Sequence, residues 1–218
     1  MKIAVISDTH GQHEKVIVPQ VDLLIHCGDI SNIGTFNQIN SFLDWFININ
    51  VTTKIFIAGN RDFLLENHHN FLSLYYNRLE ATGIIYLRDR SVEINGIKIY
   101  GSPMSPQFGN WAFMANRGKD IKRYWDKIPP DTEILITHTP PAKILDLTNE
   151  NINAGCEDLL DVVTKLHNLK YHLFGHIHEG RGTTIINNKN FINATCVDQN
   201  YTFKYQPYEF EIETKALF

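Results

Sequence analysis

A chain of 218 residues that is 43% hydrophobic can bury one substantial core, and a single domain over residues 1–218 is the expectation. A net charge of −4 without any basic run argues against a nucleic-acid track or a membrane-surface helix, so any phosphate affinity must come from a local site, and in a mildly acidic protein such a site usually borrows positive charge from metal ions. No apolar stretch approaches the roughly 20 residues of a membrane span, the start "MKIAVISDTHG" is too brief for a signal peptide, and three cysteines without a CxxC pair favour a reducing, cytoplasmic setting.

In chain order, the apolar run "KIAVISD" ends at Asp8 and "DLLIHCGD" ends at Asp29. Thr35 then caps a helix with Phe36, Ile39, Phe42, Leu43 and Phe46 on one stripe. "KIFIAGN" ends at Asn60, and a weaker helical pattern from Phe71 to Ala81 is closed by Gly83. "SVEINGIKIYG" carries Asn95-Gly96, the two-residue turn of a hairpin. "EILITHTPP" brings His138 near its end, a helix is expected from about Ala154 to His167 with Leu159, Leu160, Val163 and Leu166 inward, and "YHLFGHIH" ends at His178. "TTIINNKNFINATC" reads as a second hairpin, and "KYQPYEFEIE" as a terminal strand that Pro207 confines to an edge. Continuous Val/Ile/Leu runs early and antiparallel pairs late indicate an α/β protein with mixed sheets.

Strand ends thus present Asp8 with His10, Asp29, Asn60, His138, and His176 with His178. Ligand sites in open α/β sheets gather beyond the carboxyl ends of the strands, so these side chains can converge on one crevice. Imidazoles mixed with carboxylates and an amide suit a transition metal, Mn first, with Fe or Zn as alternatives. Seven donors are too many for one ion and fit two that share a bridging carboxylate, the arrangement that clamps both oxygens of a phosphoryl displacement. Two divalent ions bring about +4, and two aspartates with a hydroxide remove about 3 of it, leaving a surplus for phosphate that the amide of Asn60 preserves.

The order D-x-H, GD, GN-x-D, H and GH-x-H resembles the calcineurin-like metallophosphoesterase superfamily over Asp8 to His178. The intervening "IYGSPMSPQFGNWAF", "RGKDIKRYWDKIPPDTEILITHTPPAKILD", "AGCEDLL" and "FGHIHEGRG" followed by "FINAT" look like the metallophosphoesterase-domain branch of the class III phosphodiesterases. The resemblance implies a four-layer αββα sandwich of two mixed β-sheets flanked by helices. It implies hydrolysis of phosphodiesters, with cyclic nucleotides among the substrates. Asp8, His10, Asp29 and His178 would hold one metal; Asp29 as a bridge, Asn60, His138 and His176 would hold the other, and a hydroxide spanning the ions would attack phosphorus. A phosphomonoesterase or nucleotide pyrophosphohydrolase, or a weakly active nucleotide-binding regulator, are the alternatives on the same scaffold. Nothing in the sequence indicates a homo-oligomer.

The superfamily usually reads GNH[DE], with the histidine protonating the leaving oxygen; here "GNRDFL" puts Arg61 in that place. A guanidinium gives up no proton at working pH but can grip a phosphate through two parallel hydrogen bonds. Arg61 is therefore expected to contact phosphate beside Asn60, with Asp62 holding the guanidinium and protonation left to water or another group. The same wording occurs in the lipid A pathway pyrophosphohydrolases of this superfamily, so arginine is compatible with turnover. In the loop after Gly101, which carries Phe108, Asn110 and Phe113, Trp111 can stack on a nucleobase and Arg117 can reach a phosphate. His26 reads as a satisfied core histidine and Cys27 as a small buried thiol, while His13, His68, His69, His167 and His172 lack a ligand-like context.

Overall fold

The computed structural model describes residues 1–68 and 70–214, so His69 lies outside the described residues. The first half of the chain runs β1 (Lys2–Ile6), β2 (Leu23–His26), α1 (Phe36–Asn48), β3 (Thr53–Phe56), α2 (Phe63–Asn67), α3 (Tyr76–Ala81), β4 (Ile84–Tyr86), β5 (Arg90–Ile94) and β6 (Ile97–Ser102). The second half runs β7 (Ser105–Pro106), β8 (Met114–Ala115), α4 (Lys119–Trp125), β9 (Ile134–Thr137), α5 (Glu157–Lys165), β10 (Tyr171–Phe174), β11 (Gly182–Ile186), β12 (Lys189–Asn193) and β13 (Tyr208–Glu211). One sheet has the order β13-β1-β2-β3-β4 and the other β11-β12-β10-β9-β6-β5, with β7 and β8 as a separate small pair. In the first sheet β1 to β4 are parallel and β13 joins β1 antiparallel, so the strand after Pro207 is indeed an edge. In the second, β12, β10, β9 and β6 are parallel, and the hairpin partners β11 and β5 close the edges antiparallel.

Alternation along the strands makes two apolar layers. Ile3, Val5, Leu23, Ile25 and Ile55 of the first sheet share a buried core with Ile99, Ile134, Ile136 and Leu173 of the second. The intervening residues face outward: Leu24 and Phe56 join Ile39, Phe42, Leu43 and Phe46 of α1, while Leu135, Phe174 and Phe191 join Trp125 of α4 with Leu159 and Val163 of α5. The result is helix, sheet, sheet, helix, the four-layer sandwich expected. At about 25 cal/mol per Å² of apolar surface, it is this double burial that orders the strand ends on which the site stands.

Local signals hold where short-range chemistry decides. Thr35 Oγ1 accepts the Gln38 N–H at 3.4 Å and starts α1 as expected. Asn95 and Gly96 take φ of 49° and 75°, the pair of left-handed residues a type I′ turn needs. Three expectations are corrected. Phe36 is 52% exposed, its ring set against Phe71 rather than in the core stripe. The helix expected from Ala154 begins only at Glu157, because the Ala154 and Gly155 carbonyls are taken by Arg117. Phe71 to Ala81 opens with a 3₁₀ turn over Phe71–Tyr75 before α3, which ends ahead of Gly83 at φ 65°. Helices α2 and α4 span one to two turns and bury too few side chains to leave a periodic signal.

Candidate metal centre

Three of the strands that end at the cleft, β1, β2 and β10, turn sharply within a few residues of their ends. Asp8, His10, Asp29 and His176 all have left-handed backbones, with φ of 52°, 45°, 52° and 70°. A residue with a Cβ accepts that conformation at a cost of order 1 kcal/mol, and such strain gathers where side chains must be aimed. Backbone bonds lock the turns together: Asp8 N–H donates to the Gly28 carbonyl at 2.9 Å and His10 N–H to the Asp29 carbonyl at 3.1 Å. Two glycines allow the remaining loops to touch the carboxylates. A Cβ on Gly59 would fall 2.3 Å from Asp29 Oδ1, and one on Gly175 would fall 2.0 Å from Asp8 Oδ2.

The side chains form two donor groups whose ligand atoms lie within 4.8 Å of one another, Asp8 with His10 and His178, and Asp8 with Asp29 and His138. In the first, His10 Nδ1 donates to the Ser31 carbonyl at 3.2 Å and His178 Nδ1 to the Asp198 carbonyl at 3.2 Å. A carbonyl only accepts, so both Nδ1 atoms carry a hydrogen and both Nε2 atoms point inward, each able to take a proton or a metal ion. Those two Nε2 atoms face each other at 3.2 Å, with Asp8 Oδ1 3.9 Å from one and 3.5 Å from the other. Lone pairs and a carboxylate do not stay together without positive charge between them, and the donor set fits a divalent transition metal.

The second group has the same logic. His138 Nδ1 donates to the Cys27 carbonyl at 3.0 Å, which turns Nε2 toward Asn60 Oδ1 at 2.9 Å and Asp29 Oδ1 at 3.4 Å. Burial disfavours the imidazolium, yet the Asp29 charge and hydrogen bond override it and raise the His138 pKa to about 9. Burial likewise opposes ionisation of Asp8, but the His178 hydrogen bond and the neighbouring imidazoles hold its carboxyl well below the usual range. Asp29 spans the groups, one oxygen toward His138 and the other 3.8 Å from His10 Nε2. Asp8 was expected at one metal and instead contributes to both groups. His176 is brought to the same flank, its ring 4.9 Å from that of His138, but it belongs to neither close group; its backbone N–H donates to both Asp8 oxygens at 3.2 and 3.0 Å.

Arg61 reaches the rim, but not in the way expected. Its backbone N–H donates to Asp29 Oδ1 at 2.8 Å, its guanidinium lies 3.9 Å over the Trp111 ring, and Nη2 donates to the Tyr201 hydroxyl at 2.5 Å. Asp62 does not hold it. The Asp62 carboxylate is buried and accepts from the N–H groups of Gly59, Ile30 and Ser31 and from Ser31 Oγ, at 2.7–3.2 Å. Burial and the Asp29 charge push the Asp62 pKa up to about 7, against the pull of those four donors. Asp62 therefore ties the Asn60 loop to the Asp29 loop and does not face the cleft, which corrects its expected place among the catalytic groups.

Arg117 is also turned elsewhere: its guanidinium donates to the Gly155 and Ala154 carbonyls and pairs with Glu157, anchoring the start of α5 rather than reaching the cleft. Phe113 is buried while Phe108 is 71% exposed, so the loop is pinned by one aromatic and not by the other. His26 is a satisfied interior residue, its Nδ1 accepting from Gly28 N–H at 3.2 Å and its Nε2 donating to Thr9 Oγ1 at 2.9 Å. Burial raises the Cys27 thiol well above its ordinary pKa, and it sits in the inter-sheet core.

Sequence reasoning missed Tyr201 and Asp198. Tyr201 stands edge-on to the rings of His10 and His178, at 4.8 and 5.0 Å, and Asp198 supplies the carbonyl that orients His178. The one available signal was the turn-forming "VDQNYT" directly after "FINATC".

A helix-flanked pair of mixed sheets with clustered His, Asp and Asn donors at strand ends is the frame of a metal-dependent hydrolase. The fold alone is shared with the crystal structure of TT1561 of Thermus thermophilus, with a TM-score of 0.60 over 88% of each chain at 12% sequence identity. The chain belongs to the calcineurin-like phosphoesterase family, whose model matches residues 1–180. It is 34% identical over 215 residues to human metallophosphoesterase domain-containing protein 1, covering 90% of this chain but 66% of the relative, so it spans just under two thirds of that protein. It is also 34% identical over 228 residues to UPF0046 protein K07C11.7 of Caenorhabditis elegans, covering all of this chain and 77% of that one. Among the described residues no helix is long and apolar enough to cross a membrane.

Proposed function

We propose that the chain is a two-metal phosphodiesterase acting on small nucleotides or cyclic nucleotides. The observation that carries this reading is the pair of imidazole Nε2 atoms facing each other at 3.2 Å, each with its Nδ1 hydrogen already committed to a carbonyl. In the proposal His10, His178 and Asp8 hold one divalent cation, His138, Asn60 and His176 hold the other, and Asp29 offers an oxygen to each. Manganese suits this mixture of imidazole, amide and carboxylate, with iron or zinc as substitutes. When bound, such ions polarise the phosphoryl oxygens and lower the pKa of an attacking water.

The chain's own residues do the rest. Arg61, free of Asp62 and stacked on Trp111, presents guanidinium N–H groups at the rim where charge develops on a pentavalent phosphorus. The exposed part of Trp111 offers a face to a nucleobase on that side. At the other end a hollow lined by Asn149, His178, Glu179, Asp198, Gln199 and Tyr205 adjoins the cleft. A diester has two substituents, and the cleft has room on two sides, which is what favours a diester over a monoester. Three buried free thiols accord with a reducing, cytoplasmic setting. Pyrophosphate hydrolysis is the second reading, favoured by the inability of Arg61 to protonate an alkoxide.

The test is steady-state hydrolysis by Mn-reconstituted protein of bis(p-nitrophenyl) phosphate, p-nitrophenyl phosphate, cyclic AMP and a dinucleoside pyrophosphate, with Asp29→Ala as control. Metal-dependent turnover highest on diesters and absent in the control supports the proposal. Preference for the pyrophosphate moves the assignment to the second reading, and stoichiometric nucleotide binding without turnover overturns both.

A further inference from the structure

Arg61 stands where a proton donor is needed and cannot be one. Its Nη2 donates to the Tyr201 hydroxyl oxygen, so the phenol accepts from the guanidinium and its own hydrogen is left over. Among the described residues nothing accepts that hydrogen. The Tyr201 ring is held against His10 and His178 at 4.8 and 5.0 Å, which places it along the first donor group at the open rim of the cleft, 41% exposed. Its position is built. Asp198 Oδ1 accepts the N–H groups of Asn200 and Thr202 at 2.9 and 3.1 Å, Tyr201 N–H donates to the Asp198 carbonyl at 2.9 Å, and Gln12 Nε2 donates to the Tyr201 carbonyl at 2.9 Å. Tyr201 itself is in a left-handed conformation with φ 59°, a cost that a tyrosine meets only when its surroundings over-determine it. The same Asp198 carbonyl orients His178, so the loop that presents the phenol also aims a metal-facing imidazole.

We propose that Tyr201 is the catalytic proton donor of this site, delivering its phenolic hydrogen to the leaving oxygen of the phosphoester while Arg61 holds the phenol oxygen. The inference rests on the phosphodiesterase reading above. As a water oxygen bonds to phosphorus and releases one proton to solvent, the bond from phosphorus to the leaving oxygen breaks and its electron pair stays on that oxygen. The O–H bond of Tyr201 breaks at the same time, and the proton passes to the leaving group, which departs as an alcohol. The phenolate left behind is paired with the Arg61 guanidinium and regains a proton from solvent, so the sum is water added across the ester. A hydroxyl hydrogen with no protein acceptor, held beside the donor groups, is free to turn toward a leaving oxygen and act as a general acid. The acid help that the arginine substitution removes is thereby restored from a loop at the far end of the chain, and unactivated alkyl leaving groups remain within reach.

Tyr201→Phe keeps the ring and removes only the hydroxyl. With Mn-loaded protein, kcat/KM is compared on a series of aryl and alkyl phosphodiesters of graded leaving-group pKa. The expected loss is about 100-fold for alkyl leaving groups and under about threefold for p-nitrophenol, which needs no acid, so the dependence on leaving-group pKa steepens. Bound Mn, melting temperature and affinity for inorganic phosphate are measured on the same samples and should match the wild type. Equal losses on aryl and alkyl esters, no loss on either, or Mn lost from Tyr201→Phe would each assign the residue a covering role and overturn the proposal alone. Absence of hydrolysis of every ester by Mn-loaded wild-type protein would overturn the phosphodiesterase reading and this inference with it.

Discussion

The two donor groups differ in how a proton can stand in for a cation. In the group of Asp8, His10 and His178, two imidazoles compete for one proton; burial lowers the pKa of His10, while Asp8 overrides burial at His178 and raises it. In the other group His138 is alone between Asp29 and Asn60 and retains its proton up to about pH 9. Both places are shaped for positive charge: in the first a proton is shared between two Nε2 atoms 3.2 Å apart, and in the second one imidazole holds it against Asn60 and Asp29. Metal must therefore displace a proton to enter either group, one shared between two imidazoles in the first and one held by His138 alone in the second.

The strongest way to break this comparison is to remove the residue common to both groups. Asp8→Ala should cost both ions and lower kcat/KM by about 1,000-fold or more, roughly 4 kcal/mol, whereas His178→Ala should cost one ion; elemental analysis beside the assay reads the difference. Arg61→Ala should leave both ions bound and lower kcat/KM by about 100-fold, the scale of one lost charge-stabilising donor. The pH dependence sharpens the contrast further. His138 must be neutral to bind metal, so near pH 7 entry of Mn into its group should release about one proton, and affinity should rise with pH until about 9. Calorimetry in two buffers of different ionisation heat measures that release, and none at either group would contradict the comparison.

Away from the cleft, His26 and His172 are held neutral by burial, with pKa values lowered from 6.5 to about 3. In the unfolded chain both take up protons as pH falls below 6.5, so the metal-free fold should weaken progressively from there toward pH 3, as melting temperatures would show. The smallest expected effect is that of Arg117→Ala. Its guanidinium serves Gly155, Ala154 and Glu157, so kcat/KM should change by less than about threefold while the melting temperature drops.

Much of this site was legible as polar residues closing apolar runs, because a buried parallel strand must end before its first charged side chain. Asp8, Asp29, Asn60, His138 and His176 announce themselves in that way. The left-handed turns that aim four of the donors were not legible, since the residues that adopt them are aspartates and histidines rather than the glycine or asparagine that usually signals such a backbone. Asp62 was misjudged because its partners are backbone N–H groups about 30 residues earlier, whose position only the packed sheet defines. Tyr201 escaped notice for the same reason: it meets Arg61 across 140 residues, through a loop with no periodic pattern.

Anomalous diffraction from crystals of the Mn-reconstituted protein tests the central claim most directly. The account predicts one peak among His10 Nε2, His178 Nε2 and Asp8, and a second beside His138 Nε2, Asn60 Oδ1 and Asp29. An anomalous map with no peak at either group, from protein shown to be folded and exposed to excess Mn, would contradict it.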